Sequence, residues 1–348
     1  MRVPLTYVLH SGQLFGTERM ALATLAALGE RVVGTLIAPP GPVHAVARAA
    51  GFTSHVAVGR LGMPRLIARE LRAHPDGALF TTGVGHSLVA RAAQLAFGWR
   101  GAHIHMVHGG TDERLSYGRK RLLARLPLRF VAVSEFVRQR LVAHGVPADR
   151  IEVIHNFIAQ VPSAVRAPFT EDGVRRVVML SRLDRIKRVG LLFDALEKVP
   201  GLEAMQFDLY GSGEEAEALA LRAARHPNVH LHGFVPDAAA ALGQADLLLH
   251  TCPEEPFGLV MLEAFAAGVP VLVPNSGGAL DIVQDGVNGW HFTANNAIAL
   301  GQRLRALADA PCAQLNAVAE GGRQSLQNEF HPARQADRYA ALLGGAAK

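Results

Sequence analysis

Glu255 and Glu263 stand eight residues apart in the run Glu-Pro-Phe-Gly-Leu-Val-Met-Leu-Glu, with a glycine-containing turn after the first. A helix-forming run over residues 259–267 follows, and Gly268-Val269-Pro270 stops it before an apolar strand at 269–273. On a helix beginning near Phe257 or Gly258, Glu263 lies about one and a half turns in, and Glu255 sits just outside the N-terminus. Unpaired backbone N–H groups and the positive end of the helix dipole then lie between two carboxylates. Such a place can hold a diphosphate on its N–H groups and two sets of sugar hydroxyls on its carboxylates, which is the chemistry of a nucleotide sugar. Two glutamates alone read more readily as a capping acid and a solvated helix residue. The surrounding residues decide between these.

A second constellation is cationic. Ser181-Arg182-Leu183-Asp184-Arg185-Ile186-Lys187-Arg188 follows a strand and precedes a helix, with Arg182 and Lys187 five apart. A departing nucleoside diphosphate develops negative charge, and fixed cations there stabilise the transition state more than the ground state. Tyr210-Gly211-Ser212-Gly213 makes a glycine-rich turn from strand to helix, a weak signal that a plain tight turn also explains. His232-Gly233-Phe234-Val235 ends the next strand.

Taken in order, Glu-x7-Glu, Gly-Val-Pro-Val, Ser-Gly-Gly and Asp-Gly-x-Asn-Gly occupy residues 255–289. This block resembles the retaining glycosyltransferases of family 4, which have the GT-B fold. The resemblance implies that Arg182 and Lys187 balance the leaving diphosphate, that Glu255 binds hydroxyls of the transferred sugar, and that Glu263 binds the ribose. It further implies that Phe257, Gly258 and Leu259 offer backbone groups to phosphate or sugar, and that Gly211, Gly213 and Phe234 lie along the nucleotide. The family often has glycine before the arginine and after the lysine; here Ser181 and Arg188 stand there. In the first half, Phe15-Gly16-Thr17-Glu18 aligns with a family Gly-Gly-x-Glu, so only Gly16 carries over as donor-binding. His108 ends a strand where many relatives have a histidine near the transferred sugar, and it is assigned a catalytic role in orienting hydroxyls or sharing a proton.

Metal and cofactor chemistry find little support in the sequence. The chain has no Asp-x-Asp. The alternating pairs His103/His105 and His230/His232 have no acidic or thiol ligands clustered around them. The expectation is therefore no metal and no cofactor, the nucleotide sugar being a substrate. Cys252 and Cys312 cannot build a disulfide framework, and Cys252 reads as a small buried thiol.

The elements that would position these residues alternate between strand and helix. Strand-like runs fall at 4–9, 31–38, 78–82, 103–107, 130–133 and 151–155, then at 176–180, 206–210, 229–232, 247–250 and 270–273. Helical runs between them include 18–28, 43–50, 61–73, 87–96, 117–126, 134–144, 189–196, 214–225 and 237–241. Such alternation implies parallel sheets covered on both faces. The expected architecture is thus α/β: two doubly wound Rossmann-like domains facing a central cleft. Residues 1–165 form an acceptor-binding domain and 166–330 a nucleotide-sugar-binding domain, joined near 158–170. Residues 331–348 form a helix that the resemblance returns to the first domain.

Charge separates the halves. Residues 1–168 carry 20 Lys/Arg against 9 Asp/Glu, a net of +11, whereas the remainder carries 15 against 21, a net of −6. Asymmetry of this kind suits an anionic partner for the first half. Residues 114–129 combine six cations with leucines; on a helix they would present an apolar stripe with basic flanks to an anionic membrane, or simply pack on a sheet. No aromatic interleaving supports nucleic acid.

The reading is a hexosyltransferase-type enzyme that moves a sugar to a saccharide or lipid-linked acceptor in lipopolysaccharide or surface polysaccharide assembly. It is expected in the cytoplasm, with a peripheral seat on the inner membrane face left open. Two competing readings remain, a nucleotide-sugar epimerase on the same scaffold and a non-catalytic nucleotide-sugar-binding protein.

Overall fold

The computed structural model describes residues 2–110, 113–158, 164–235 and 239–344. The chain divides into two compact units, Met1–Ala159 with His331–Lys348, and Gln160–Phe330. Residues 159–163, inside the expected junction, and the start of the expected helix 237–241 lie outside the described residues.

The first unit is built on seven strands, β1 (Val3–Val8), β2 (Val32–Ala38), β3 (Thr53–Val56), β4 (Ala78–Thr81), β5 (His103–Val107), β6 (Arg129–Ala132) and β7 (Ile151–Val153). Their order is β3-β2-β1-β4-β5-β6-β7, and every pairing is parallel. Strands covered on both faces lose the in–out alternation, and β4 and β5 are accordingly buried along their whole length. Helix Gly16–Leu28 buries Met20, Ala21, Thr24, Leu25 and Leu28, one face at helical spacing. The C-terminal helix Pro332–Gly344 packs on it, and its Tyr339 ring lies 5.9 Å from Phe80. Pro332 starts that helix, where a missing N–H costs nothing.

Two elements depart from the sequence expectation. Strand β3 was not expected because Thr-Ser-His-Val has no apolar alternation; it is a sheet edge, and its polar residues blunt that edge. The expected helix at 117–126 is instead a one-turn helix, Glu113–Ser116, followed by 3-10 turns at Gly118–Leu123. Tyr117, Lys120 and Leu123 are the buried residues, and a spacing of three suits the 3-10 period rather than an amphipathic α-helix. The leucines are therefore divided, Leu123 inside and Leu115 and Leu122 outside.

The second unit has six strands, β8 (Arg176–Leu180), β9 (Gln206–Tyr210), β10 (Val229–Gly233), β11 (Leu247–Leu249), β12 (Val271–Pro274) and β13 (Trp290–Phe292). They run in the order β10-β9-β8-β11-β12-β13, again all parallel. Val177, Met179, Phe207, Leu209 and Leu272 form the centre of its core, against Leu192 and Phe193 of helix Gly190–Lys198 and Leu300 and Leu304 of helix Ala297–Ala308. Strand β13 is only three residues long, too short to register as a periodic run.

The strand order reverses between β1 and β4 in the first sheet and between β8 and β11 in the second. Doubly wound sheets bind ligands outside the carboxyl ends of the strands at such points, because the flanking loops leave on opposite faces and open a crevice. Among the described residues no helix is long and apolar enough to cross a membrane.

Candidate active site

In the second unit the predicted cation and the first predicted carboxylate meet at the switch point. Lys187 closes the loop after β8, Glu255 lies in the loop after β11, and Lys187 Nζ is 2.5 Å from Glu255 Oε2. Both side chains are largely buried, with 18% and 12% of their surfaces exposed. Burial alone would push the Glu255 carboxyl up, but the imidazole of His250 and the Lys187 ammonium more than offset it and hold Glu255 well below the usual carboxylate range. Burial likewise works against the Lys187 ammonium, and the Glu255 charge reverses this, so the amine is raised. Both directions describe one fact: the pair is ionised at neutral pH.

The local backbone holds the pair in place. Thr251 Oγ1 donates to Lys187 O at 2.7 Å, which ties the β8 loop to the end of β11. The Ser-Gly-Gly segment braces the other side. Gly278 N–H donates to Glu255 O at 2.7 Å, and Ser276 Oγ donates to Pro253 O at 2.8 Å. A Cβ on Gly278 would sit 2.3 Å from Pro256 O, so no side chain fits there. Gly277 and Gly278 thus support the carboxylate-bearing loop.

Arg182 is placed differently. Its guanidinium is 2.6 Å from Asp184 Oδ2 and remains 63% exposed, so it does not share the Lys187–Glu255 pair. Arg188, in the position where glycine is often found, adopts φ +54°. Left-handed backbone costs a non-glycine residue roughly 1–2 kcal/mol. Its Nε donates to Asn295 Oδ1 at 3.1 Å, and Asn295 is itself left-handed at φ +58°.

The helix after Glu255 runs Leu259–Ala266, with Gly258 before it at φ +96°. Glu263 therefore stands about one turn in, half-buried, rather than one and a half. Leu259 is also half-buried. A Cβ on Gly258 would lie 2.1 Å from Met261 Cε and 3.3 Å from Glu255 Cγ, so glycine is needed for the turn to close beside the carboxylate. The Phe257 ring is buried edge-on against Phe330, 6.1 Å between centroids, which leaves only its backbone for a ligand.

Gly211 and Gly213 have a packing reason of their own. A Cβ on Gly211 would lie 1.8 Å from Ser181 O, and one on Gly213 would lie 2.6 Å from Leu183 O. These glycines let the loops after β8 and β9 lie together, joined by Leu183 N–H to Ser212 O at 2.9 Å. Phe234, just beyond β10, has 72% of its surface exposed.

His250 was not anticipated as a neighbour of the pair, whereas Cys252, read as a small buried thiol, is buried beside it. His250 is buried, with Nε2 3.3 Å from Glu255 Oε2, and its only sequence signal is a histidine at the carboxyl end of a strand. His250, Cys252 and Glu255 form the one group among the described residues with ligand atoms gathered as a metal would need, within 4.8 Å. The donor chemistry is poor: an ammonium already sits on Glu255, and burial together with the Glu255 charge pushes the Cys252 thiol up to about 11, so it stays protonated.

Two predicted residues lie in the first unit. Gly16 is the first residue of helix Gly16–Leu28, and the Glu18 carboxylate caps that end by accepting Phe15 N–H at 3.2 Å. His108 follows β5; its Nε2 is buried without a hydrogen-bond partner, and burial, with the charge of His10, lowers its imidazole to about 4. His103 and His105 bond Thr81 Oγ1, each at 3.2 Å, inside the core.

Comparison with known proteins follows this division of the chain. Residues 16–159 match the family model described as Glycosyltransferase Family 4, and residues 164–325 match Glycosyl transferases group 1. The chain is 26% identical to a lipopolysaccharide core biosynthesis glycosyltransferase, LpsE of Rhizobium meliloti, over 96% of this chain and 97% of that one. Among solved structures, Anabaena Alr3699/HepE in complex with UDP and glucose is similar at TM-score 0.82 with 19% identity, covering 99% of this chain and 100% of that one. The lipopolysaccharide outer core galactosyltransferase WaaB, apo form, is similar at 0.79 with 16% identity, covering 98% and 99%.

Proposed function

Because this chain belongs to the family-4-type glycosyltransferases of GT-B fold, we propose that it transfers a hexose from a nucleotide sugar with retention of anomeric configuration. The observation that carries the proposal is the Lys187–Glu255 ion pair across the switch point of the second sheet. The Lys187 ammonium is shared between Glu255 and the departing diphosphate, so its charge is in place before the bond breaks and costs no reorganisation. Arg182, mostly exposed and paired with its neighbour Asp184, turns onto the same diphosphate. The Glu255 oxygen not engaged by Lys187 accepts hydroxyls of the moving sugar. Glu263 accepts the ribose hydroxyls, the backbone at Phe257, Gly258 and Leu259 meets phosphate, and Gly211, Gly213 and Phe234 border the nucleotide. In the first unit, Gly16 offers an open helix start to a phosphate or sugar, and His108 orients a sugar hydroxyl. No protein nucleophile is assigned.

Lys187 and Arg182 supply the positive charge that a divalent ion would otherwise bring, so the reaction proceeds without metal or cofactor. The first unit, net +11 over residues 1–168, holds a saccharide or lipid-linked acceptor, and the similarity to LpsE supports a role in lipopolysaccharide or surface polysaccharide assembly. Arg114, Arg119, Arg121, Arg125 and Arg129 are all exposed alongside Leu115 and Leu122, which supports contact with an anionic inner membrane face.

A thermal-shift panel of UDP-, GDP- and ADP-sugars tests the reading, since a donor raises stability by mass action. One donor class should shift the melting temperature, and with acceptor present it should release nucleoside diphosphate. Binding without release would leave a nucleotide-sugar-binding protein, and conversion of the donor sugar without release would leave an epimerase.

A further inference from the structure

His250 has no part in the transfer described above, yet it lies against the carboxylate on which that transfer depends. It directly follows β11, and its N–H donates to Leu272 O at 2.9 Å, so its backbone still belongs to the ladder with β12. Thr251, the next residue, is the one that ties down Lys187 O. Glu255 comes five residues after His250, in a loop that turns back on its own start. The carboxylate is thus carried by a loop, whereas the imidazole is fixed to the sheet.

Both nitrogen groups reach the same carboxylate oxygen. Lys187 Nζ is 2.5 Å from Glu255 Oε2 and His250 Nε2 is 3.3 Å from it, whereas Oε1 has no hydrogen-bond partner among the described residues. An ionised carboxylate offers about two acceptor positions on each oxygen, so two donors occupy Oε2 and leave Oε1 for a ligand. At 3.3 Å the imidazole contact is long and not yet aligned as a hydrogen bond. Nε2 is shut off from solvent and has no better partner among the described residues. Hydrogen bonds of this kind are often loose in a free enzyme and tighten as the reacting complex forms.

We propose that His250 is a positioning residue: it holds Oε2 of Glu255 while Oε1 takes the sugar hydroxyls, and it keeps that hold when Lys187 turns toward the departing diphosphate. The roles of Oε1 and Lys187 rest on the glycosyl-transfer reading; the contact between His250 and Glu255 does not. As negative charge grows on the leaving group, the Lys187 ammonium is drawn from Oε2 toward it. A carboxylate held by lysine alone would then be free to swing, just when its other oxygen must stay on the sugar. An imidazole on the same oxygen closes in as the ammonium leaves and keeps one orientation. The gain falls in the transition state, so it raises turnover rather than donor affinity. The role needs a proton on Nε2, the ring nitrogen that faces Oε2.

Long-range proton–nitrogen NMR of the full-length protein at neutral pH reads that proton directly, with His250→Gln identifying the signal. Nε2 should be protonated, and Glu255→Gln should shift its resonance. A bare Nε2, with the proton on Nδ1, would overturn the proposal whether or not the protein transfers a sugar. Kinetics then separates positioning from packing. Release of nucleoside diphosphate from UDP-glucose, GDP-mannose and ADP-glucose is compared in the parent, in His250→Leu, which keeps bulk without a donor, and in His250→Gln, whose amide nitrogen can stand where Nε2 stood. His250→Leu should lower kcat about tenfold or more, with donor KM and affinity for the matching diphosphate within about twofold, and His250→Gln should recover most of the loss. In a Glu255→Gln background, His250→Leu should add nothing further. If the leucine variant does not fold, His250→Asn, whose amide stops short of Oε2, takes its place. Equal turnover in all variants, a loss that glutamine does not repair, or independent losses in the double variant would overturn the proposal. No turnover of any of the three donors, with Nε2 protonated and sensitive to Glu255→Gln, would remove the transfer reading while leaving His250 as the residue that orients Glu255.

Discussion

Replacing Lys187 with alanine separates the structural role of the ion pair from its chemical one. The substitution leaves Glu255 in a largely buried place with His250 as its remaining close partner. Removing one member of a buried pair costs about 3–5 kcal/mol, most of it the penalty of the orphaned charge. For a domain of this size each kcal/mol is worth about 2–4 °C, so the melting temperature should fall by about 6–20 °C at neutral pH. The pH dependence has a definite sign. The carboxyl of Glu255 is held below its ordinary value of about 4.3, so the pair's contribution is present above that pH and is lost as pH falls. The raised Lys187 amine keeps its contribution until the solution becomes strongly alkaline. The gap between Lys187→Ala and the unaltered protein should therefore narrow as pH drops below about 4–5, because a protonated Glu255 no longer needs a cation. Adding Glu255→Gln to Lys187→Met should restore more than half of the lost stability, since neither charge is then stranded. Calorimetric melts at pH 7 and pH 4 measure this, and diphosphate release at saturating donor measures chemistry, where Lys187→Ala should lose about 10²-fold or more. A Lys187→Ala variant that melts within a degree of the parent at pH 7, or turns over at the parent rate, would refute the reasoning.

Glu263→Gln should weaken binding of free nucleoside diphosphate and intact donor alike by roughly 1–3 kcal/mol, while Glu255→Gln should leave nucleoside diphosphate binding nearly intact and depress transfer; calorimetry with both ligands distinguishes them, and equal losses throughout would sink the separate assignments. Transfer should survive excess chelator, and activity lost to chelation but restored by magnesium or manganese would end the metal-free account. The protein should sediment with anionic but not neutral vesicles at low salt, at roughly 1 kcal/mol per engaged arginine, and equal sedimentation with both would reduce residues 114–129 to a packed surface segment. Gly211→Ala should lower the melting temperature markedly, because its Cβ would meet backbone, Ser181 O at 1.8 Å, and a melt unchanged from the parent would mean that the two loops are not interlocked.

The sequence by itself determined the parts that depend on local pattern. Strand–helix alternation specified parallel sheets, since a parallel crossover needs an intervening element, and the spacing of Glu255 and Glu263 specified a helix entry between two carboxylates. It could not show that Lys187 and Glu255 meet, because 68 residues separate them and only the strand order β8-β11 makes their loops neighbours. Strand order is a property of the packed sheet, in which β9 and β10 fill one side before the chain returns to the other. The glycines illustrate the same divide. Gly211, Gly213 and Gly278 are legible in the sequence as turn residues, but the backbone that excludes a side chain from each belongs to another loop. Burial is likewise tertiary: His86 carries no local mark that distinguishes it from His230, yet packing leaves its Nδ1 without a partner among the described residues and lowers the ring to about 4. The same holds for residues 114–129, whose cations and leucines suggested one amphipathic helix. Burial at Tyr117, Lys120 and Leu123 selects a 3-10 path instead, because a period of three, not 3.6, brings those side chains to one face.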